Sequence, residues 1–525
     1  MDTDVDRVLP HLFEVCVKGG RPSRILTDPK NYPGYLEALV DNENMVDFDS
    51  PDARALLDGW LRSSVVDMGT QINRSVEQML AVAPITLAAY RSGVPFSRSR
   101  HRYIDEVTYR LLRAQVAQRV DNQGNADGEL RRIIVETIGH GIRVGPAPKW
   151  EPELVDASDL DITALLEFRF LEGFEMGEVR SELKPAAKEL NSPLPLVTDR
   201  IGKMLLDHLL VYATRLPTAA LMSTFAGLLA VNIFALTLRL NAHGRTLLTG
   251  AGQPDNASAA SLELYCDFTG GIDDESDKLS RLCVERDLNQ LRLSFRDRMT
   301  FLIVDKATER MPGETERLAT MTAEERLRRL AELRTNQRVE LVAMSQFDEI
   351  TATNKRDGDT ITEDEADFLD RVQQSNQTEL EKLLQVLDYV NQDKATSNTV
   401  GWFHSVGGLQ KPYGILSGFN RSRQSWRYAP SDELLTTLLL TIFVRSSTEY
   451  RSTMPLRELL TELRERFGIL IDEPPRFLDG AEARAAATNN LAAFKRRLQL
   501  LGCFDSLSDD FSEQIVRHPL GDRHA

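Results

Sequence analysis

A run of 23 residues without a charged side chain places the strongest constraint on how this chain folds. It extends from Leu216 to Leu238 between Arg215 and Arg239, and a helix of that length can cross a bilayer. Several of its members are polar or helix-breaking: Pro217, Thr218, Ser223, Thr224, Asn232 and Thr237. Together with an amphipathic helix over residues 199–214, the run predicts a buried helical hairpin inside a large helical domain rather than a membrane span.

Length and composition predict a globular protein of several domains. The 525 residues exceed what one hydrophobic core usually supports, and 42% apolar with 27% charged residues is ordinary globular composition. The four cysteines lack CxxC spacing and the N-terminal residues are acidic, so we expect a cytoplasmic protein without a disulfide framework. The net charge of −16 argues against nucleic-acid binding over the whole surface, but it allows a local basic patch.

Helical spacing of apolar residues dominates, which predicts a mainly α, multidomain protein with a small mixed α/β region. The mixed region should contain a strand over 262–268, a Thr-Gly-Gly turn and a helix over 279–298. Five parts are expected: an N-terminal helical domain (1–150), a mixed central domain with the buried hairpin (151–312), long helices (313–394), a basic aromatic loop segment (395–430) and a winged-helix-like module (431–525).

Two capping boxes mark the long helices of 313–394. Thr322 is followed three residues later by Glu325, and Thr362 by Glu365, and both pairs precede amphipathic patterns. Helices of this kind form an arm or a helical hairpin, whose partner face is either internal or on another chain. The acids before Glu365 superficially resemble a calcium loop, but an acidic helix N-terminus explains them.

The segment 395–430 contains no Asp or Glu, although the whole chain is acidic. Its cations are Lys411, Arg421, Arg423 and Arg427, and its aromatic residues include Trp402, Phe419 and Trp426. Cations neutralise phosphates and aromatic faces stack on unpaired bases, so the pattern suits a nucleic-acid contact. Frequent glycines favour loops or short hairpins over a helix. The alternative is a structural loop with its aromatic rings in the core and its arginines in solvent.

The C-terminal part has the order of a winged-helix module. Ser431 is a suitable N-cap for a helix over 432–444, a second helix follows Pro455 until Gly468, and a third extends over 481–501. Two short strands between Phe504 and Val516 should complete it. In a helix-turn-helix reader the third helix enters the major groove, which makes Lys495, Arg496 and Arg497 candidate DNA contacts. Winged-helix modules also serve protein contacts, so the fold does not decide the function.

The run Gln424–Leu435, which leads into this module, resembles proteins of bacterial anti-phage operons, and Leu264–Gly271 is similar to them as well. The nearest resemblance is to an accessory component of a methylation-associated defence system, without a recognised catalytic signature. It implies work on DNA beside methyltransferase and effector subunits, and it assigns no residue a catalytic role.

The sequence offers little evidence for a catalytic or cofactor-binding motif. The sequence has no phosphate-binding GxxxxGK[ST], no GxSxG and no HExxH. Asp267 and the acids at 273–275 could bind Mg²⁺ at a strand end, but no acidic-x-Lys strand pair of the common nuclease type follows. His140, His404 and Cys283 are explained as two loop residues and a core residue, so no cofactor is expected.

The leading hypothesis is a non-enzymatic DNA-binding or assembly subunit of a bacterial anti-phage defence complex, with other subunits of that complex as partners. The expected DNA-binding residues are Lys411, Arg421, Arg423, Arg427, Trp402, Trp426, Lys495, Arg496 and Arg497. Two alternatives stay open: a pure protein–protein scaffold, and a divergent metal-dependent nuclease that uses Asp267.

Overall fold

The computed structural model describes most of the chain from residue 186 onward and parts of the region before it. The described ranges are 8–17, 65–70, 77–81, 103–120, 125–138, 186–250, 262–353, 362–504 and 514–521, with positions 5, 19, 20 and 51. His140 and residues 505–513 lie outside these ranges.

The described part contains fourteen α-helices, and this confirms the mainly α fold. The helices are α1 (Leu9–Val17), α2 (Ile104–Ala117), α3 (Ala126–Ile138), α4 (Pro195–Tyr212), α5 (Thr218–Thr249), α6 (Glu275–Thr308), α7 (Glu314–Ala319), α8 (Ala323–Leu333), α9 (Gln337–Thr353), α10 (Glu363–Gln373), α11 (Glu379–Val406), α12 (Asp432–Phe443), α13 (Leu456–Glu462) and α14 (Ala481–Leu500). A π-helical turn, Leu463–Phe467, extends α13.

The strands of the described residues form small two-stranded sheets. They are β1 (Val65–Thr70), β2 (Glu77–Ala81), β3 (Leu264–Tyr265), β4 (Leu416–Phe419), β5 (Ser422–Tyr428), β6 (Thr453–Pro455), β7 (Ile469–Leu470) and β8 (Ile515–Arg517). The pairs β1–β2, β4–β5 and β6–β8 are antiparallel, whereas β3–β7 is parallel. The β1–β2 pair lies in a region for which the sequence predicted mainly helices.

Helices α4 and α5 form the expected buried hairpin. The segment Ala220–Thr249 is long and apolar enough to cross a membrane, but 83% of its most apolar window is buried inside the protein. Its polar side chains bond to their own helix: Asn232 donates to the Leu228 carbonyl at 2.8 Å, and Thr237 donates to the Ile233 carbonyl at 2.9 Å. These bonds give both side chains a partner within the helix and favour their burial, whereas the buried side-chain oxygen of Asn232 has no hydrogen-bond partner among the described residues.

Two hydrophobic clusters organise the described residues. The larger one joins the N-terminal helices, α4, α5, the start of α6, the end of α11 and the C-terminal helices. The smaller one, here called the arm, is built from α7 to α10 with the end of α6 and the start of α11. The long helices α6 and α11 run antiparallel through both clusters, and Arg296 of α6 joins them through ion pairs to Glu381 and Asp388.

The helix starts predicted from caps are confirmed. The hydroxyls of Thr322 and Thr362 accept from the backbone of Glu325 and Glu365, and each glutamate bonds back to complete a capping box. Ser431 caps α12 by accepting from Leu434 N–H at 3.0 Å. These bonds satisfy N–H groups that have no partner within the helix.

The C-terminal elements succeed one another as α12, β6, α13, β7, α14 and β8. Strand β6 pairs with β8, and Phe504 forms an isolated antiparallel bridge with Val516. Asn490 of α14 joins this part to the centre of the molecule: its amide donates to the carbonyls of Cys266 at 2.8 Å and Ile471 at 3.1 Å. Its oxygen accepts from Phe268 N–H at 2.7 Å.

Two local predictions were wrong. The strand expected over 262–268 is limited to Leu264–Tyr265, because the N–H groups of Asp267 and Phe268 bond to Tyr428 and Asn490 instead of continuing the ladder. Residues 395–406, expected to form a loop, continue α11. There, packing of Trp402 and Phe403 against Phe234 outweighs the modest helix preference of the sequence.

Candidate nucleic-acid interface

The hairpin formed by β4 and β5 projects a short turn from the larger cluster. Gly418 has φ of +138°, and a Cβ there would lie 2.6 Å from the Ser425 carbonyl oxygen. The Ser425 hydroxyl accepts from Phe419 N–H at 2.8 Å and donates to the Ser422 carbonyl at 2.6 Å. These bonds fix residues 419–423, here called the hairpin tip, relative to the two strands.

The inward face of β5 belongs to the core. Trp426 is 2% exposed, stacks on Phe403 and donates its indole N–H to the Phe419 carbonyl at 3.0 Å. Tyr428 is fully buried and donates its hydroxyl to Asp287 at 2.8 Å. Burial and this bond hold the pKa of Tyr428 well above its usual value. The Trp426 ring therefore has no free face for the base stacking that the sequence suggested.

The outward face of the hairpin tip carries a different aromatic ring. Phe419 is 70% exposed, and Arg421 and Arg423 beside it are exposed as well. Among the described residues no carboxylate lies within ion-pair distance of either arginine. An exposed ring in the same short turn as two arginines without a carboxylate partner can stack on a base while the arginines contact phosphates.

A groove of about 570 Å³ lies between this hairpin and α6. Its basic lining residues are Lys278, Arg281, Arg292 and Arg423. Lys278 and Arg281 are ion-paired with acids of the same helix region, whereas Arg292 bonds to Asn289 at 3.1 Å and, within the described ranges, has no carboxylate partner. Arg423 and Arg292 thus place positive charge on the two sides of one groove, whose lining also includes the carboxylate of Glu285.

The other predicted contacts of the segment 395–430 are placed differently. Arg427 is half-buried with its Nε 3.4 Å from the buried carboxylate of Asp277. Trp402 is half-buried, stacks on Phe234 with ring centroids 5.7 Å apart, and lines a separate cleft. Lys411 is half-buried in the turn before the hairpin. The structure therefore brings Arg421 and Arg423 together and separates Trp402 and Arg427 from them.

The three cations of α14 have unequal surroundings. Arg497 forms an ion pair with Asp432 at 2.5 Å, at the start of α12. Lys495 is half-buried and Arg496 is exposed, with its Nε 3.5 Å from the Ala492 carbonyl of its own helix. Of the three side chains, Arg496 is the most accessible to a phosphate.

Two of the acids considered for a metal site accept hydrogen bonds from nearby backbone N–H groups. Asp267 accepts from the N–H and hydroxyl of Thr269, and Asp274 is the N-cap of α6, accepting from Asp277 N–H at 2.8 Å. In the part of the chain that the structure describes, no group of three His, Cys, Asp or Glu residues could hold a metal ion. The metal-dependent nuclease alternative therefore has no geometric support within these ranges.

Phe419 is the residue that sequence reasoning missed. It belonged to the basic aromatic segment, but the larger tryptophans were preferred as stacking residues. Two positions in this hairpin, Trp426 and Tyr428, share one face of β5 because side chains alternate along a strand. Phe419 follows Gly418 and lies outside the alternating pattern of β5. An apolar residue in that position was the sequence signal for an exposed ring.

Comparison with known proteins identifies the family. A family model described as "Methylation-associated defense system protein MAD7" matches residues 1–520. No curated protein and no solved structure matches the chain significantly. The match covers nearly the whole sequence and agrees with the resemblance carried by residues 424–435 and 264–271. The chain belongs to the MAD7 family of methylation-associated defense system proteins.

Proposed function

We propose that this protein is a non-enzymatic, nucleic-acid-binding or assembly subunit of a cytoplasmic methylation-associated defence complex. The observation that carries the proposal is the hairpin tip, which holds the exposed residues Phe419, Arg421 and Arg423 within five positions. The family supplies the context of a defence system with other components. The DNA contact itself rests on the chemistry of the tip.

In the proposed contact, Arg421 and Arg423 neutralise backbone phosphates while the Phe419 ring stacks on a base. Hydrogen bonds of the Phe419 backbone to Ser425 and Trp426 hold this residue at the end of β4 before DNA arrives, which reduces the backbone entropy lost on binding. Arg292 extends the positive charge along the groove beside α6. Because stacking requires an unpaired base, we expect single-stranded DNA or a duplex end to bind more tightly than continuous duplex.

The C-terminal part gives this proposal a second contact. We propose that the helices α12 to α14, the β6–β8 pair and the bridge at Phe504 act together as a winged-helix-like module. We propose that Arg496, with Lys495 and Arg497 beside it, meets phosphates when DNA extends to α14. In that role Arg497 must exchange its bond with Asp432 for a phosphate, so its contribution is smaller than that of Arg496.

Fluorescence anisotropy with labelled single-stranded and duplex oligonucleotides at low and moderate salt tests the main contact. We expect Arg421→Gln/Arg423→Gln to weaken binding at least tenfold and Phe419→Ala to reduce the preference for single strands. A matched control is Arg310→Gln/Arg338→Gln, which removes two exposed arginines of the arm. Equal affinity of wild type and the tip double variant would refute the contact.

A protein–protein scaffold is the second candidate, and an apolar pair on the arm favours it. Leu341 and Met344 lie three residues apart on α9 and are each 42% exposed. Exposed apolar neighbours on one helix face suit a partner helix of another defence component. Co-purification with co-expressed components of the same system should be lost in Leu341→Glu/Met344→Glu and kept in Ser345→Glu, which alters an exposed polar position of α9.

A further inference from the structure

A cleft of about 730 Å³ lies where the larger cluster meets the arm. Residues of α5, α6, α8 and α11 line it, so both hydrophobic clusters contribute walls. Its volume lies in the range typical of small-molecule sites, and its lining includes both apolar and polar side chains. Neither the hairpin tip nor the cations of α14 belong to its lining.

One wall of the cleft is aromatic. Trp402 lies against Phe234 in a parallel stack, with an interplanar angle of 2°. The indole is half-buried and lines the cleft, and Phe295 and Phe301 of α6 line it too. A large ring supported from behind by a second ring is a rigid surface on which a planar group can stack.

The charges of the lining are uneven. Its two carboxylates are already neutralised: Asp297 pairs with Arg245 at 2.7 Å, and Asp305 pairs with Arg326 at 2.8 Å. Its two cations, Arg298 and Lys394, have no carboxylate within ion-pair distance among the described residues. The cleft therefore presents about two uncompensated positive charges and suits an anion.

The side-chain amides of Asn241, Asn391 and Asn398 belong to the polar lining as well. Asn241 donates its side-chain N–H to the Thr237 carbonyl at 2.7 Å, and Asn391 donates to the Leu387 carbonyl at 2.9 Å. One N–H of each of these two amides is used within its helix, so the amide oxygen as an acceptor and the second N–H as a donor are the groups that these residues can offer to a ligand. An amide oxygen accepts a hydrogen bond from an exocyclic or ring N–H of a nucleobase.

We propose that this cleft binds a nucleoside phosphate of mononucleotide size. Its base stacks on Trp402 and donates to an amide oxygen of Asn241 or Asn391, and its phosphates lie near Arg298 and Lys394. The cleft has residues of α5 on one side and Leu327 and Leu330 of α8 on another. A bound nucleotide therefore joins the arm to the larger cluster, and it stabilises the folded protein by an amount that rises with the logarithm of free nucleotide concentration above Kd.

Isothermal titration calorimetry and thermal melting with the four ribonucleoside monophosphates and triphosphates test this proposal. We expect at least one nucleotide to bind with micromolar affinity and to raise Tm, whereas its nucleoside and inorganic phosphate bind at least tenfold more weakly. Arg298→Gln/Lys394→Gln should lower the affinity at least tenfold, and the control Arg310→Gln/Arg338→Gln should keep it. Trp402→Leu should abolish the stacking contribution, provided that its circular dichroism matches wild type.

The proposal is overturned if none of these nucleotides binds at millimolar concentration, or if Arg298→Gln/Lys394→Gln binds as tightly as wild type. Inorganic phosphate that binds as well as the nucleotide would reduce the cleft to a simple anion site and would contradict the role of Trp402. DNA anisotropy of Arg298→Gln/Lys394→Gln should stay at the wild-type value. Failure here is thus distinguishable from failure of the hairpin-tip contact.

Discussion

Asn490 carries three hydrogen bonds in a fully buried position, which makes it the residue with the largest expected effect on stability. Asn490→Ala leaves the Phe268 N–H and the Cys266 carbonyl without their partner. Each unsatisfied buried group costs about 1–3 kcal/mol, so we expect a loss of about 2–4 kcal/mol in unfolding free energy. Urea denaturation of Asn490→Ala beside its exposed neighbour variant Asn489→Ala measures the difference. If Asn490→Ala lost less unfolding free energy than Asn489→Ala, the stabilising role of the three Asn490 hydrogen bonds would be contradicted.

His208 should make stability depend on pH. It is fully buried on α4, its Nε2 lies 2.9 Å from the Thr224 hydroxyl, and burial lowers its pKa to about 3. The unfolded chain binds a proton below pH 6.5 and the folded chain does not, so unfolding is favoured as pH falls from 6.5 toward 3.

Between pH 7.5 and 5.5 one such histidine lowers the unfolding free energy by about 1.4 kcal/mol. His208→Gln removes this titration, so its stability should change less than that of wild type over the same interval. Burial also lowers the pKa of His518 to about 4, and part of the wild-type dependence therefore remains in the variant. Chemical denaturation at the two pH values checks this, and identical pH dependence in both proteins would contradict it.

At the scale of elements, local signals predicted helix ends better than they predicted the hairpin. Thr322, Thr362 and Ser431 each cap a helix as expected, because a cap depends on residues three positions apart. The continuation of α11 through Trp402 depends on Phe234, far away in the sequence, and local composition could not reveal it. The side of β5 that faces the core was likewise set by tertiary packing.

Gly418 determines the geometry of the hairpin tip. Gly418→Ala combines an unfavourable φ of +138° with a Cβ 2.6 Å from the Ser425 carbonyl oxygen, so β4 must move away from β5. We expect the displacement to shift Phe419 and to weaken single-strand binding several-fold, with a modest loss of Tm. Gly480→Ala is the matched control, because a Cβ there meets nothing within 4 Å. Unchanged anisotropy for Gly418→Ala would mean that the tip position is unimportant for DNA.

At the scale of the whole molecule, the sequence predicted a mainly α protein and its defence-system family, but not which cations act together. Arg427 and Arg497 look available in the sequence, yet each lies beside an acid from a distant segment, Asp277 and Asp432 respectively. These pairings arise from the tertiary fold. They divide one apparent basic region into a hairpin tip, a structural arginine and a separate helix surface.

The whole chain has a net charge of −16, so DNA must be bound by a local basic patch. The salt dependence of DNA affinity measures how many cations of that patch contact phosphates. Each phosphate neutralised on a single strand contributes a slope of about −0.7 to the logarithm of affinity against the logarithm of salt concentration. If Arg421 and Arg423 each contact one phosphate, their double glutamine variant should have a slope less negative by about 1.4 than wild type. Anisotropy titrations from 50 to about 200 mM salt, the interval over which phosphate contacts strongly alter affinity, measure both slopes. Counterion release depends on the number of charges that reach the DNA. If the affinity of the variant falls while its slope stays unchanged, these arginines support the fold of the hairpin and do not contact phosphates.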